Sequence, residues 1–151
     1  AGLSMGGNGA TQYAIGHPEL FGGAASLSNA PSDLGLMKVP SYDGSAEGEA
    51  QALFNKRVQN VVDNFGGFEN YVNSPVNTWD RLPELMREGK LPKLYFCCGE
   101  EDQLCWQKYQ KFKEYAEKIG LPAKFEEAPG YMHEWAFWDL FIQKALDYFE
   151  I

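Results

Sequence analysis

Lys93-Leu94-Tyr95-Phe96-Cys97-Cys98-Gly99 is the segment on which the fold turns. Entered through Leu91-Pro92 and closed by Gly99, it is the clearest strand in the chain. The polar turn Glu100-Glu101-Asp102 follows. Beyond it, Gln103 to Ile119 carries Trp106, Tyr109, Phe112, Ala116 and Ile119 at helical spacing, with Gly120 placed to close the helix. Ala123–Glu127 reads as a second strand, Pro129-Gly130 as a turn, and Trp135, Trp138, Ile142, Ala145 and Phe149 as the apolar stripe of a last helix. On the other side, Phe21–Leu27 is short and apolar and leads into Ser28-Asn29-Ala30-Pro31, which suits a buried parallel strand and a turn. Met5–Ile15 reads as a helix that starts glycine-rich and ends near Gly16-His17-Pro18. Strands alternating with helices predict an α/β fold, with about three parallel strands flanked by helices.

Residues 33–91 interrupt this alternation. Ser41–Gly48 is polar and loop-like. Phe54, Val58, Val61, Val62 and Phe65 then recur at helical spacing up to Gly66-Gly67, Asn70–Asn77 is irregular, and Leu82, Leu85 and Met86 mark another helix with Gly89 as its cap. The segment is expected to be a helical insertion.

The chain has 151 residues and a net charge of −8. A chain of this length holds a core without staples. The acidic balance argues against a phosphate-tracking nucleic-acid binder or a basic membrane-surface protein, and no apolar run is long enough to span a bilayer. Cys97, Cys98 and Cys105 lack C-x-x-C spacing, so they read as buried, reduced thiols rather than a disulfide or zinc set. Asp33, Asp43 and Asp63 are not grouped with histidines, and Gly6-Gly7-Asn8-Gly9 lacks the Lys-Ser/Thr of a phosphate loop. Neither a metal nor a cofactor is expected.

Gly2-Leu3-Ser4-Met5-Gly6 fits G-x-S-x-G, in which a serine sits on a strained strand-to-helix turn with small residues two before and two after it. A flexible glycine loop is the plainer alternative, but a helical pattern follows at once. A nucleophilic serine needs a base, and the chain has two histidines. His17 suits a helix C-terminus. His133, in Pro129-Gly130-Tyr131-Met132-His133, lies between a strand and the last helix, either as a base or as a plain helix-start residue. Asp102 follows the best strand, either as the acid that orients an imidazole or as a solvated cap for the next helix. Taken together, Ser4, Asp102 and His133 run in the order nucleophile, acid, base, and each lies just past a strand, where sites gather on parallel sheets. The strand that leads into Ser4 would lie before residue 1.

The stretches AGLSMGG (1–7), HPELFGGAASLSNA (17–30), LPKLYFCCGEEDQL (91–104) and PGYMHEWAFWD (129–139) resemble the C-terminal half of the esterase D and tributyrin esterase group of α/β-hydrolases. Relatives of that group include S-formylglutathione hydrolase and acetyl and feruloyl esterases. The resemblance implies a partial α/β-hydrolase fold whose N-terminal strands, and a loop carrying a second oxyanion N–H, are absent from this chain. It implies a serine esterase for small or short-chain acyl esters, with Ser4 as nucleophile, Asp102 as acid, His133 as base and the Met5 N–H as one oxyanion donor. Residues 33–91 would correspond to a cap-like insertion over the site. Trp79, Phe54, Phe65 and Tyr71 are then candidate substrate-binding residues, although a core role is the plainer expectation for each. Two alternatives stand beside this reading. One is an impaired fragment that self-associates, through an open parallel edge beside Phe21–Leu27, or that needs its missing half. The other is an esterase of the feruloyl or acetyl-xylan type. A small-molecule ester is the expected partner and the cytoplasm the expected location, with secretion left open.

Overall fold

The computed structural model describes residues 1–34 and 49–151; the side chains of residues 49–52 and 54 lie outside the described set. Two compact units are resolved, one made of Ala1–Ser32 with Thr78–Ile151 and the other of Asp33–Asn77.

The first unit is built on four parallel strands, β1 (Gly2–Leu3), β2 (Gly23–Leu27), β3 (Lys93–Gly99) and β4 (Ala123–Ala128), in the spatial order β1-β2-β3-β4. Its helices are α1 (Met5–Gly16), α4 (Thr78–Glu88), α5 (Trp106–Ile119) and α6 (Trp135–Phe149). The sequence reading of about three strands omits β1, which is only two residues long and pairs Gly2 with Ser26 and Leu3 with Leu27. The strand leading into Ser4 therefore ends inside the chain. The β2 edge expected to be open is occupied along that stretch.

Alternation along β3 sorts the core into two faces. Leu94, Phe96 and Cys98 pack with Ala14 and Ile15 of α1, Leu82 and Leu85 of α4, and Tyr109, Phe112 and Ala116 of α5. Tyr95 and Cys97 point the other way, packing with Phe137, Trp138, Phe141 and Ala145 of α6. Strand side chains alternate faces with period two, so one apolar run serves both layers. On α6 the buried stripe differs from the expected one: Phe137 and Phe141 are buried, and Trp135 is exposed. The apolar arc of the helix is about half its circumference, with Trp135 toward its margin, so periodicity alone did not choose which of these residues are buried. On edge strand β4, Lys124, Glu126 and Glu127 carry charges that discourage further pairing.

The second unit contains α2 (Glu49–Asn64) and the short α3 (Phe68–Val72). The helix read from Phe54 to Phe65 is present. The irregular reading of Asn70–Asn77 is corrected over Asn70–Val72, which close the single helical turn of α3; a five-residue helix is too short to show a period. The loop expected at Ser41–Gly48, with Asp43, lies outside the described residues.

Cys97, Cys98 and Cys105 are buried free thiols. Burial pushes all three upward from the ordinary 9.0, Cys105 to about 11, and raises Tyr95 and Tyr109 well above 10.0. Above pH 9 the folded chain thus keeps protons that the unfolded chain has lost. Stability conferred by these groups is present below pH 9 and lost as the pH rises. Lys108, lowered by burial to about 8 from 10.5, acts in the opposite sense between those values, but it is one group against five. The urea midpoint of unfolding is expected to fall between pH 9 and 11; a midpoint that is flat over that range would contradict this account.

Candidate active site

Ser4 lies between β1 and α1 with φ 50° and ψ −123°, backbone angles that L-residues rarely adopt. Such a conformation costs on the order of 1–3 kcal/mol and persists only when its surroundings over-determine it. Here they do. The Ser4 N–H donates to the Leu27 carbonyl at 2.8 Å. The Ser4 carbonyl accepts from the N–H groups of Gly7 at 3.0 Å and Asn8 at 3.3 Å, and from Asn29 Nδ2 at 2.7 Å. A Cβ on Gly2 would stand 2.3 Å from the Gly6 carbonyl carbon and oxygen, so only glycine fits before the turn. The converse does not hold, because a Cβ on Gly6 would meet nothing within 4 Å. The expectation that both positions must be small is corrected to Gly2 alone. The turn sets the serine at the head of α1, where the first N–H groups of a helix have no partner within it and the dipole favours negative charge.

Asp102 follows β3 and is fully buried, so its expected role as a solvated cap is half right. Its Oδ1 accepts from the N–H groups of Leu104 and Cys105, each at 3.0 Å, and closes the turn into α5. Its Oδ2 accepts from His133 Nδ1 at 2.7 Å. The Cys98 thiol donates to the same oxygen over 3.9 Å. Burial and then the Asp102 carboxylate hold the Cys98 and Cys105 thiols protonated at neutral pH, so neither adds a competing negative charge. One carboxylate therefore makes both contacts that were weighed for it, one oxygen for each.

His133 is carried by the loop between β4 and α6. That loop lies close to the end of β3: a Cβ on Gly99 would come within 2.3 Å of the Tyr131 carbonyl oxygen, which accepts the Glu101 N–H at 3.1 Å. The imidazole Nε2 is 3.0 Å from Ser4 Oγ. With Nδ1 donating to a carboxylate, Nε2 is left as an acceptor for the serine hydroxyl. The ring also meets Trp138 edge to face, with centroids 4.9 Å apart, and Trp138 Nε1 donates to Ser28 Oγ at 2.9 Å.

The structure thus brings Ser4, Asp102 and His133 into one chain of hydrogen bonds. His17, exposed beside Glu19 at the end of α1, stands outside it. Trp79 stacks on Tyr115 at 4.0 Å and meets Phe112 edge-on at 5.8 Å, which is the core role. Phe65 and Tyr71 pack on each other at 5.2 Å within the Asp33–Asn77 unit, and the Phe54 side chain lies outside the described residues. Asp102, Cys105 and His133 offer metal-ligand atoms within 4.8 Å of one another, but a cation there would have to displace the Asp102–His133 hydrogen bond.

Sequence reasoning missed Ser28, Asn29, Lys108 and Trp138. The signal available for Asn29 was its place just past β2, on the same sheet edge as the other site loops. Lys108 follows the buried Cys105 by three positions, on the flank of the buried stripe of α5. Also unforeseen are Leu104, Met132 and Trp135, which with Met5 are exposed apolar side chains within two residues of Asp102, His133 or Ser4.

The family described as "Putative esterase" matches residues 1–148. The chain belongs to this esterase family. It is 28% identical over 148 residues to an acetyl esterase of Caldicellulosiruptor saccharolyticus, covering 97% of this chain and 52% of that protein. The crystal structure of S-formylglutathione hydrolase (FrmB) from Staphylococcus aureus is similar, with a TM-score of 0.65 and 26% identity over 97% of this chain and 52% of that one. So is FphF, a fluorophosphonate-binding serine hydrolase of Staphylococcus aureus, at 0.65 and 26% over 97% and 51%. The chain spans about half the length of these relatives. Its four parallel strands with flanking helices are part of an α/β-hydrolase fold, in agreement with the sequence reading.

Proposed function

We propose that the protein is a carboxylic-ester hydrolase that works through an acyl-enzyme, with Ser4 as nucleophile, His133 as general base and acid, and Asp102 as the group that orients and stabilises the imidazolium. The observation that carries this reading is the continuous path Ser4 Oγ–His133 Nε2 at 3.0 Å and His133 Nδ1–Asp102 Oδ2 at 2.7 Å. Family membership supports it independently.

In this mechanism His133 Nε2 removes the Ser4 hydroxyl proton as Oγ attacks the ester carbonyl carbon. The tetrahedral oxyanion is met by the Met5 N–H at the head of α1. His133 then gives its proton to the departing alkoxide, and an alcohol leaves. Water, deprotonated by His133, attacks the acyl-serine; the acid is released and the Ser4 hydroxyl is restored. The exposed apolar side chains of Met5, Leu104, Met132 and Trp135, each within two residues of these groups, favour uncharged acyl esters over charged ones.

A fluorophosphonate probe tests the reading. Mass spectrometry of the treated protein is expected to show one adduct, on Ser4, with p-nitrophenyl acetate hydrolysis lost in proportion. Hydrolysis that survives complete labelling of Ser4 would refute it.

A further inference from the structure

Ser4 occupies an unfavourable backbone conformation, so the contacts that hold its carbonyl matter to where its hydroxyl points. The shortest of them comes from Asn29, a residue only 7% exposed, whose Nδ2 donates to the Ser4 carbonyl at 2.7 Å. The other end of the same amide is occupied twice. Asn29 Oδ1 accepts the Ala30 N–H at 2.8 Å and Lys108 Nζ at 2.7 Å. An ammonium and a backbone N–H are both donors and neither can accept. Only the amide oxygen can face them, which leaves the NH₂ group to face Ser4. A flipped amide would set NH₂ against an ammonium and oxygen against oxygen, losing all three bonds.

We propose that Asn29 and Lys108 form a positioning pair for the nucleophile, in which the lysine holds the asparagine amide in the orientation that pins the Ser4 turn. The inference rests on reading Ser4 as the nucleophile. Lys108 is the third residue of α5, the helix entered through the turn that Asp102 closes. The acid and the nucleophile are thus tied by two routes. One runs through the imidazole; the other runs from Asp102 along α5 to Lys108, Asn29 and the Ser4 carbonyl. The second route holds whether or not His133 is in place. A charge-assisted bond to Oδ1 also strengthens Nδ2 as a donor, because hydrogen bonds in series polarise one another.

The test measures p-nitrophenyl acetate hydrolysis and fluorophosphonate labelling for wild type, Asn29→Asp, Lys108→Met, Lys108→Arg and the double variant Asn29→Asp/Lys108→Met. Asn29→Asp keeps an acceptor for Ala30 and Lys108 but turns an oxygen toward the Ser4 carbonyl. A kcat about 10–100-fold lower with KM nearly unchanged is expected, the size of effect that a small misplacement of a reacting group produces. Lys108→Met is expected to lower kcat roughly tenfold and Lys108→Arg to restore most of it, since arginine also only donates. The double variant should be no worse than Asn29→Asp alone, because both residues act through one bond. A kcat unchanged in Lys108→Met, equal losses in the Met and Arg variants, strictly additive losses, or a change confined to KM would each overturn the pair. If Asn29→Asp does not fold, the Lys108→Met and Lys108→Arg comparison decides. Wild-type protein that neither hydrolyses ester nor takes up the probe would instead refute the reading of Ser4.

Discussion

Replacing Ser4 by alanine is expected to lower kcat for p-nitrophenyl acetate by about 10⁶-fold, and replacing Asp102 by asparagine by about 10⁴-fold. The gap between the two comes from the geometry. Without Ser4 Oγ no acyl-enzyme forms. In the Asp102→Asn variant the nucleophile and base remain, but the new amide has little choice of orientation. The N–H groups of Leu104 and Cys105 both point at the Oδ1 position and require an oxygen there. The NH₂ group must then face His133 Nδ1, which at 2.7 Å meets a donor instead of an acceptor. The imidazole answers by carrying its proton on Nε2, which can no longer accept from Ser4. The loss is one of tautomer rather than of fold, so kcat should fall far more than thermal stability. Steady-state kinetics with a parallel thermal melt checks both. An Asp102→Asn variant within tenfold of wild type would remove the carboxylate from the mechanism.

Gly2→Ala is expected to cost more than 100-fold in kcat and to lower stability by about 1–3 kcal/mol. Its Cβ would collide with Gly6 backbone atoms at 2.3 Å, and backbone inside the first turn of α1 cannot rotate aside as a side chain can. Relief requires β1 and α1 to separate, which moves Ser4. Gly6→Ala is the matched control, since its Cβ meets nothing within 4 Å. Alanine also suits a helix better than glycine, so Gly6→Ala should retain activity and match or exceed wild-type stability. Equal damage from both substitutions would show that the turn is sensitive to any added bulk.

The two glycines show where sequence reasoning stops. The G-x-S-x-G spacing predicts a tight turn, but it treats the flanking glycines alike. Only the path of the backbone reveals that one is crowded and the other open. Asp102 is similar. Its position after β3 supported both a cap and a catalytic acid, and sequence offered these as alternatives because it assigns one role to a residue. A carboxylate has two oxygens, and the fold uses them separately. Trp79 and Trp135 divide differently. Trp79 was a candidate pocket wall with a core role the plainer expectation, and Trp135, on an amphipathic helix, suggested core. In the structure Trp79 stacks on Tyr115, and Trp135 stands exposed two residues beyond His133.

By itself the sequence determined the layered α/β arrangement, because strand and helix periods are local properties of consecutive residues. It also determined the three residues of the proposed triad, since the chain order and the strand-end positions of Ser4, Asp102 and His133 are written in one dimension. Tertiary structure decided what depends on approach between distant segments. That includes the β1–β2 pairing that seats the turn, the Gly99–Tyr131 contact that brings the acid and base loops together, and the Lys108–Asn29–Ser4 path. These contacts join residues 24 to 79 positions apart. No local period encodes them; they exist only once the parallel sheet has gathered its loops at one edge.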